Sequence, residues 1–285
     1  MRINHNISSM VTQGALFKVG RDMGKSLERL STGLRINRAS DDAAGLGVSE
    51  NLRTQVRGSA QAQRNAQDGV AALQIAEGAA NEISSILQRM RELSIQAAND
   101  TLTSVERGYT QQEFGNLQEE INRIAAVTNY NGMELISSTS SRFGYSTAAG
   151  EGAVLWIDAN NTVGTDSITI AIGTLTTNAL GSLDSSSISE QSLAVEAISV
   201  LDGAIDSVNT TRADIGAYVN RLEHAVNNLI VSETNQQAAE SMIRDVDFAT
   251  ETTAFTKNQI LTQSATAMLA QSNMIPSSVL GLVSG

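Results

Sequence analysis

Residues 193–246 read LAVEAISVLDGAIDSVNTTRADIGAYVNRLEHAVNNLIVSETNQQAAESMIRDV. Apolar or small residues recur there at steps of four and three. The series is Leu193, Ala197, Val200, Ala204, Val208, Thr211, Ile215, Tyr218, Leu222, Ala225, Leu229, Ser232, Gln236, Ala239, Ile243 and Val246. This is a heptad seam with one extra step of four at Ala204–Val208, so the spacing predicts a helix that supercoils left-handedly and unwinds at a stutter. No Pro interrupts it. At about 1.5 Å per residue it would run roughly 80 Å. A stripe that long cannot bury itself and requires a partner helix of similar length.

The partner is found upstream. Leu52, Val56, Ser59, Gln63, Ala66, Val70, Leu73, Ala76, Ala80, Ile83, Leu87, Met90, Leu93 and Ala97 form a second long seam, equally rich in small side chains. Either orientation is open, and antiparallel packing is the simpler. The Arg38–Gly45 stretch before this helix is a break, with Ser40 or Asp41 available as cap. Thr103-Ser-Val-Glu106 is a capping box that starts a third helix, with Thr110, Phe114, Leu117, Ile121 and Ile124 inward. Asn131-Gly132 is a turn signal that ends it.

Residues 137–190 turn rich in Ser, Thr and Gly. Ala153–Ile157 and Ser167–Ile172 read as two strands, the second alternating at Ile168, Ile170 and Ile172, joined by a loose connection containing Asn160-Asn161. This is expected to be a small β element at the tip of a helical rod. Its Ser and Thr could carry sugars.

The two ends are amphipathic arms. In 1–40, Ile3, Ile7, Met10 and Phe17 share a stripe that Leu16, Met23, Leu27, Leu30 and Leu34 continue in shifted phase, with Gly14, Gly20, Gly24 and Gly33 between them. The apolar surface that such a stripe can bury is small beside the entropy of ordering forty residues. This arm is therefore expected to lack order in the isolated chain and to fold only against other chains. In 247–285, Ala254, Leu261, Met268, Ile275 and Leu282 recur every seven residues, with Ala265, Ser272 and Val279 between. The arms are expected to pair with each other and with neighbouring molecules. Pro276 is expected to break or bend the second arm.

The fold class is thus mainly α. Long antiparallel coiled-coil helices form a rod, with a small β-hairpin region at the tip and terminal helical arms. The segments are 1–40, 41–136, 137–190, 191–246 and 247–285. A net charge of −11 argues against a nucleic-acid partner. Residues 1–40 hold seven basic side chains against Asp22 and Glu28, a net of +5, which leaves −16 in the remainder. A basic end and an acidic body suit head-to-tail contacts. There is no Cys, no Sec-type signal and no apolar run long enough for a membrane span. His5 and His224 are too far apart in sequence to suggest a metal site, and neither H-E-x-x-H nor G-x-S-x-G occurs. Arg89 and Glu92 have the spacing of a surface ion pair. No catalytic set, metal or cofactor is expected, which points to a structural polymer.

The motifs are more specific than the pattern. INHNI (3–7), LERLSTGLRINRASDDAAGL (27–46), LQRMRELSIQAAN (87–99) and NYNGMEL (129–135) closely resemble the N-terminal region of bacterial flagellins. AESMIRDVDFATE (239–251), QIL (259–261) and MLAQ (268–271) resemble the flagellin C-terminal region. The resemblance covers 1–136 and 190–285, with room between for little more than a hairpin. It implies a motility filament built by self-assembly, with the arms as an inner coiled-coil tube and the long helices as an outer one. On that reading Ile3, Ile7, Met10, Leu27, Leu30, Leu34, Ala254, Leu261, Met268, Ile275 and Leu282 carry polymerisation. The resemblance also implies export of the unfolded chain through the flagellum's own channel without a cleavable signal, an export chaperone on the C-terminal arm, and hook-associated junction and cap proteins as partners. For recognition by a vertebrate Toll-like receptor, the matching positions are Arg89, Leu93 and Glu113. A hook–filament junction protein shares the terminal signatures and is the alternative. A coiled-coil adaptor is remote.

Overall fold

A computed structural model describes residues 5–137, 143, 152–160, 162 and 165–283, the last nine by backbone alone. Five long helices dominate the described residues: α1 (Ile7–Thr32), α2 (Ala43–Ala97), α3 (Ser104–Val127), α4 (Gln191–Arg244) and α5 (Phe248–Val283). Two antiparallel hairpins accompany them, β1 (Asn129–Tyr130) with β2 (Met133–Glu134), and β3 (Ala153–Trp156) with β4 (Ser167–Ile170). The chain divides into two compact units, residues 55–234 and residues 1–54 with 235–285.

In the unit of residues 55–234, the contiguous apolar core runs along α2 and α4. Every residue of the expected α2 seam from Ser59 onward is buried or half-buried. The α4 seam differs in its first heptad. Leu193 is exposed, while Ala194 and Leu201 are buried. The burial series Ala194, Ala197, Leu201, Ala204, Val208, Thr211, Ile215, Leu222, Leu229 keeps steps of three and four, with half-buried Tyr218 and Ala225 in the gaps. The expected stutter is therefore absent. Leu201 carries more apolar surface than Val200, so the helix turns Leu201 inward and the heptad stays in phase.

Antiparallel packing of α2 and α4 follows from two contacts. Arg91 Nε donates to Asp202 Oδ1 at 2.6 Å, and a Cβ placed on Gly69 would lie 3.4 Å from Leu222. As the number falls on α2 it rises on α4. The expected capping box starts α3: the Thr103 hydroxyl accepts from Glu106 N–H, and the Glu106 carboxylate accepts from Thr103 N–H at 2.8 Å. Those hydrogen bonds, the Thr103 backbone N–H first, hold the Glu106 carboxyl below its ordinary range. Arg107 reaches back to donate to the Ala97 and Asn99 carbonyls at 2.9 and 3.0 Å, so α3 satisfies the orphan acceptors at the end of α2. Asn131 (φ 52°) and Gly132 (φ 76°) form the two-residue turn between β1 and β2, with the paired positive φ of a type I′ turn.

The β3–β4 hairpin pairs Ala153 with Ile170 and Leu155 with Ile168. Ala153, Ile168 and Ile170 are buried, and Leu155 is half-buried. The hairpin rests against a flank of α2. Asn65 Nδ2 of α2 donates to the Trp156 carbonyl at 3.2 Å, and Ala159 and Leu155 lie over Gly58 and Gly69. An apolar sheet face this small needs a helix flank to cover it, and the two glycines make that flank flat. Residues 163–164 and most of 138–151 lie outside the described residues, as does Asn161 of the expected connection.

Periodicity gave no sign of a polar stripe on α3. Gln111, Gln118 and Asn122 form it, and they hold the chain between Thr177 and Ile188 by its backbone. Gln111 Oε1 accepts from Ile188 N–H at 2.6 Å, and Gln118 Nε2 donates to the Leu183 carbonyl at 2.6 Å. Asn122 Oδ1 accepts from Thr177 N–H at 3.1 Å. Side chains here replace the ladder partners that an irregular segment lacks.

Candidate assembly surface

The other unit is built from the two chain ends. Asn6 caps α1 by accepting from Ser9 N–H at 3.2 Å, and Gly33 closes the helix in the left-handed region (φ 72°) with its N–H on the Arg29 carbonyl. Asp247 caps α5, accepting from Ala249 N–H at 2.9 Å and from the Thr250 hydroxyl at 2.8 Å. The Thr250 hydroxyl is the main cause, with the backbone donors, of an Asp247 carboxyl held below its ordinary range. The cap of α2 is Asp42, whose carboxylate accepts from Gly45 N–H at 2.8 Å. This corrects the expectation of Ser40 or Asp41. The helix begins at Ala43, and Asp41 folds back to accept from Arg38 N–H.

Helices α1 and α5 run antiparallel. At one end Asn6 Nδ2 donates to the Ser272 carbonyl at 2.9 Å and Ser9 Oγ donates to Asn273 Oδ1 at 2.8 Å. At the other end Arg29 lies 3.5 Å from Glu251. Beyond the helix ends the connectors zip together. Arg35 N–H donates to the Arg244 carbonyl at 2.6 Å, Val246 N–H donates to the Gly33 carbonyl at 3.0 Å, and the Arg35 guanidinium donates to the Ile243 carbonyl. Arg244 pairs with Glu50 at 2.7 Å. The expectation that residues 1–40 lack order in the chain is thus corrected: α5 supplies a partner along α1. Pro276 does not break α5 either, and the helix continues to Val283.

The paired faces mix apolar and polar side chains. Ser9, Thr12, Leu16, Val19, Met23, Ser26 and Leu30 are among the covered residues of α1, and Ala254, Phe255, Asn258, Thr262, Ala265, Leu269 and Ser272 among those of α5. Other apolar side chains face outward. Ile7, Met10 (65% exposed), Val11, Phe17 (76%) and Leu27 do so on α1, and Phe248, Ile260, Leu261, Met268 (62%) and Met274 on α5. Among the described residues, Ile36 is the sole buried apolar side chain of this unit. The apolar stripe expected on α5 is therefore split: Ala254 is half-buried against α1, whereas Leu261 and Met268 are exposed. Leu30 and Leu34 are half-buried. Ile3 lies outside the described residues, and the side chains of Ile275 and Leu282 lie beyond those described. Sequence reasoning missed Val11, Phe248, Ile260 and Met274. The signal for Ile260 was its adjacency to Leu261, since a single helical seam cannot bury two consecutive residues.

In the unit of residues 55–234, Arg89 and Glu113 come together at 2.9 and 3.0 Å, and Arg89 also pairs with Glu92 at 3.1 Å. The Glu113 hydrogen bond, then that of Glu92, raises the Arg89 pKa above its ordinary value. Leu93 is 1% exposed and belongs to the core, so it offers no surface of its own.

The bacterial flagellin N-terminal helical region matches residues 3–141, and the bacterial flagellin C-terminal helical region matches residues 198–283. The chain is 45% identical to flagellin FlaB2 of Treponema pallidum (strain Nichols), over 99% of this chain and all of that protein. It is 46% identical to the flagellar filament 33 kDa core protein of Treponema phagedenis, again over 99% of this chain and all of that protein. A crystal structure of Bacillus cereus flagellin is 31% identical, covering 62% of this chain and 94% of that one at a TM-score of 0.48. The chain belongs to the bacterial flagellin family.

Proposed function

We infer that this protein is the structural subunit of a helical flagellar filament, polymerising through its two terminal helices. The observation that carries this reading is that, among the described residues, Ile36 is the sole buried apolar side chain in the unit of residues 1–54 and 235–285. Helices α1 and α5 cover one face of each other and leave Phe17, Met10, Ile260 and Met268 to solvent. Exposed apolar side chains of this kind are stabilised when other copies cover them. Contacts between unlike faces of successive copies grow an open helix wherever their rotation does not close a ring. The relatives named as flagellar filament core proteins support the same function. The site of action is the flagellum filament. Export of the unfolded chain without a cleavable signal, an export chaperone on residues 247–285 and contacts with junction and cap proteins complete the proposal. A chain without Cys can cross between redox compartments without mispairing.

Negative-stain electron microscopy after salting-out or seeding tests the reading. Long filaments are expected from the intact chain and none from Phe17→Asp. Short closed zones from a folded intact chain would make it a hook–filament junction protein.

A second reading concerns the exposed Arg89–Glu113 pair, which we propose as the contact for a vertebrate Toll-like receptor, with Leu93 supporting it from beneath. The same patch is expected to be masked in the filament. Receptor signalling by the monomer should fall with Arg89→Ala combined with Glu113→Ala, and normal signalling by that variant would refute the contact.

A further inference from the structure

At the end of the pair where α1 begins, the covered α1 residues Asn6, Ser9 and Thr12 are polar, so no large apolar knob of α1 fixes how far the helices slide there. Coiled coils with that problem set register by a specific polar contact. Here the candidate lies where α1 begins. Helix α5 runs through Pro276. Proline has no N–H, so the Ser272 carbonyl lacks the helical donor it would otherwise find four residues on. That carbonyl accepts from Asn6 Nδ2 at 2.9 Å. The same Asn6 side chain caps α1 through Oδ1, which accepts from Ser9 N–H. Ser9 Oγ then reaches Asn273 Oδ1 at 2.8 Å, one residue beyond Ser272.

We propose that Asn6 is the positioning residue that sets the α1–α5 register, giving the Ser272 carbonyl the hydrogen bond that Pro276 cannot. One amide thereby does two jobs. Its oxygen starts α1, and its nitrogen locks that start to one turn of α5. A slip of one residue would lose the bond and leave an unsatisfied acceptor beside the helix pair. The consequence for assembly rests on the function inferred above; the coupling between Asn6 and Pro276 does not.

The test is a double-mutant cycle in the full chain, with Asn6→Ser, Asn6→Ala and Pro276→Ala. Serine caps a helix about as well as asparagine but is too short to reach Ser272. The Pro276→Ala change restores the N–H donor. Amide exchange of peptides covering 5–12 and 268–276 is measured in monomer and polymer, beside the critical concentration for assembly. With Pro276 present, Asn6→Ser is expected to speed exchange and raise the critical concentration by roughly tenfold. In the Pro276→Ala background, Asn6→Ser should lie within about twofold of its own Asn6 parent. Asn6→Ala should remain impaired in that background, because the cap is still missing. Equal effects of Asn6→Ser in both backgrounds, no effect in either, or peptides unprotected in both monomer and polymer of the unaltered chain would overturn the proposal. If no variant polymerises but the exchange cycle shows the coupling, the assembly reading fails and the Asn6–Pro276 coupling stands.

Discussion

At the scale of single residues, helix starts are set by carboxylates and amides. Asp247 draws several donors at the first turn of α5, and its carboxyl is held below its ordinary range by the Thr250 hydroxyl and backbone N–H groups. A group whose folded pKa is depressed contributes stability that is present above its unfolded value and is lost as pH falls through the folded one. The window therefore opens near pH 4, the ordinary aspartate value, and closes below it. Exchange of amides 248–252 should accelerate across that acid window in the unaltered chain. Asp247→Asn, which caps comparably without a charge, should flatten the acceleration; an unchanged acid response would assign it to other carboxylates. Asp42 shows how a cap is misread from sequence. The sequence pointed to Ser40 or Asp41, and the backbone bend at Arg38–Asp41 passes the role to Asp42.

At the scale of elements, the β3–β4 hairpin lies against α2 because two glycines admit it. A Cβ on Gly58 would stand 2.5 Å from the Ala159 Cβ and 3.0 Å from its Cα. Gly58→Ala should therefore lower stability by about 1–3 kcal/mol through overpacking against backbone. Gly78, on the same helix, has nothing within 4 Å of such a Cβ. Gly78→Ala should raise stability by roughly 0.5–1 kcal/mol through helix propensity. Denaturant unfolding of the monomer measures both, and opposite signs are the expectation. Equal signs would mean that the hairpin does not rest on Gly58. The heptad of α4 belongs to this scale too. Its period was legible along its length, but Val200 and Leu201 both fit a helical stripe, and the packed neighbours selected Leu201.

At the scale of the whole molecule, one unit holds the apolar core and the other holds the outward apolar faces. The core cluster runs from Ala66 to Leu222 and contains no residue of the terminal helices. Leu261→Asp and Met268→Asp should therefore abolish filaments in electron micrographs while leaving the main thermal transition, carried by residues 55–234, within a few degrees of its original midpoint. A collapse of that transition would mean that the exposed face of α5 contributes to folding of the core and not to contacts between copies.

The sequence by itself determined that long helices dominate, where α3 starts, where the strands of the β3–β4 hairpin lie, and which family the motifs resemble. Those properties depend on local chemistry: heptad spacing, a capping box, apolar alternation, and the residue types of long contiguous motifs. Only the tertiary structure decided which half of each terminal stripe is covered. Periodicity reports that a helix has apolar residues at a given angle, but not which neighbour arrives there. Ala254 and Leu261 are equally good members of one sequence repeat, and α1 covers the first and leaves the second to solvent. The side-chain support of residues 177–188 by Gln111, Gln118 and Asn122, and the use of Asn6 to satisfy the carbonyl freed by Pro276, join residues far apart in the chain. Such pairings leave no local trace, because a hydrogen bond between distant residues alters neither spacing nor composition at either end.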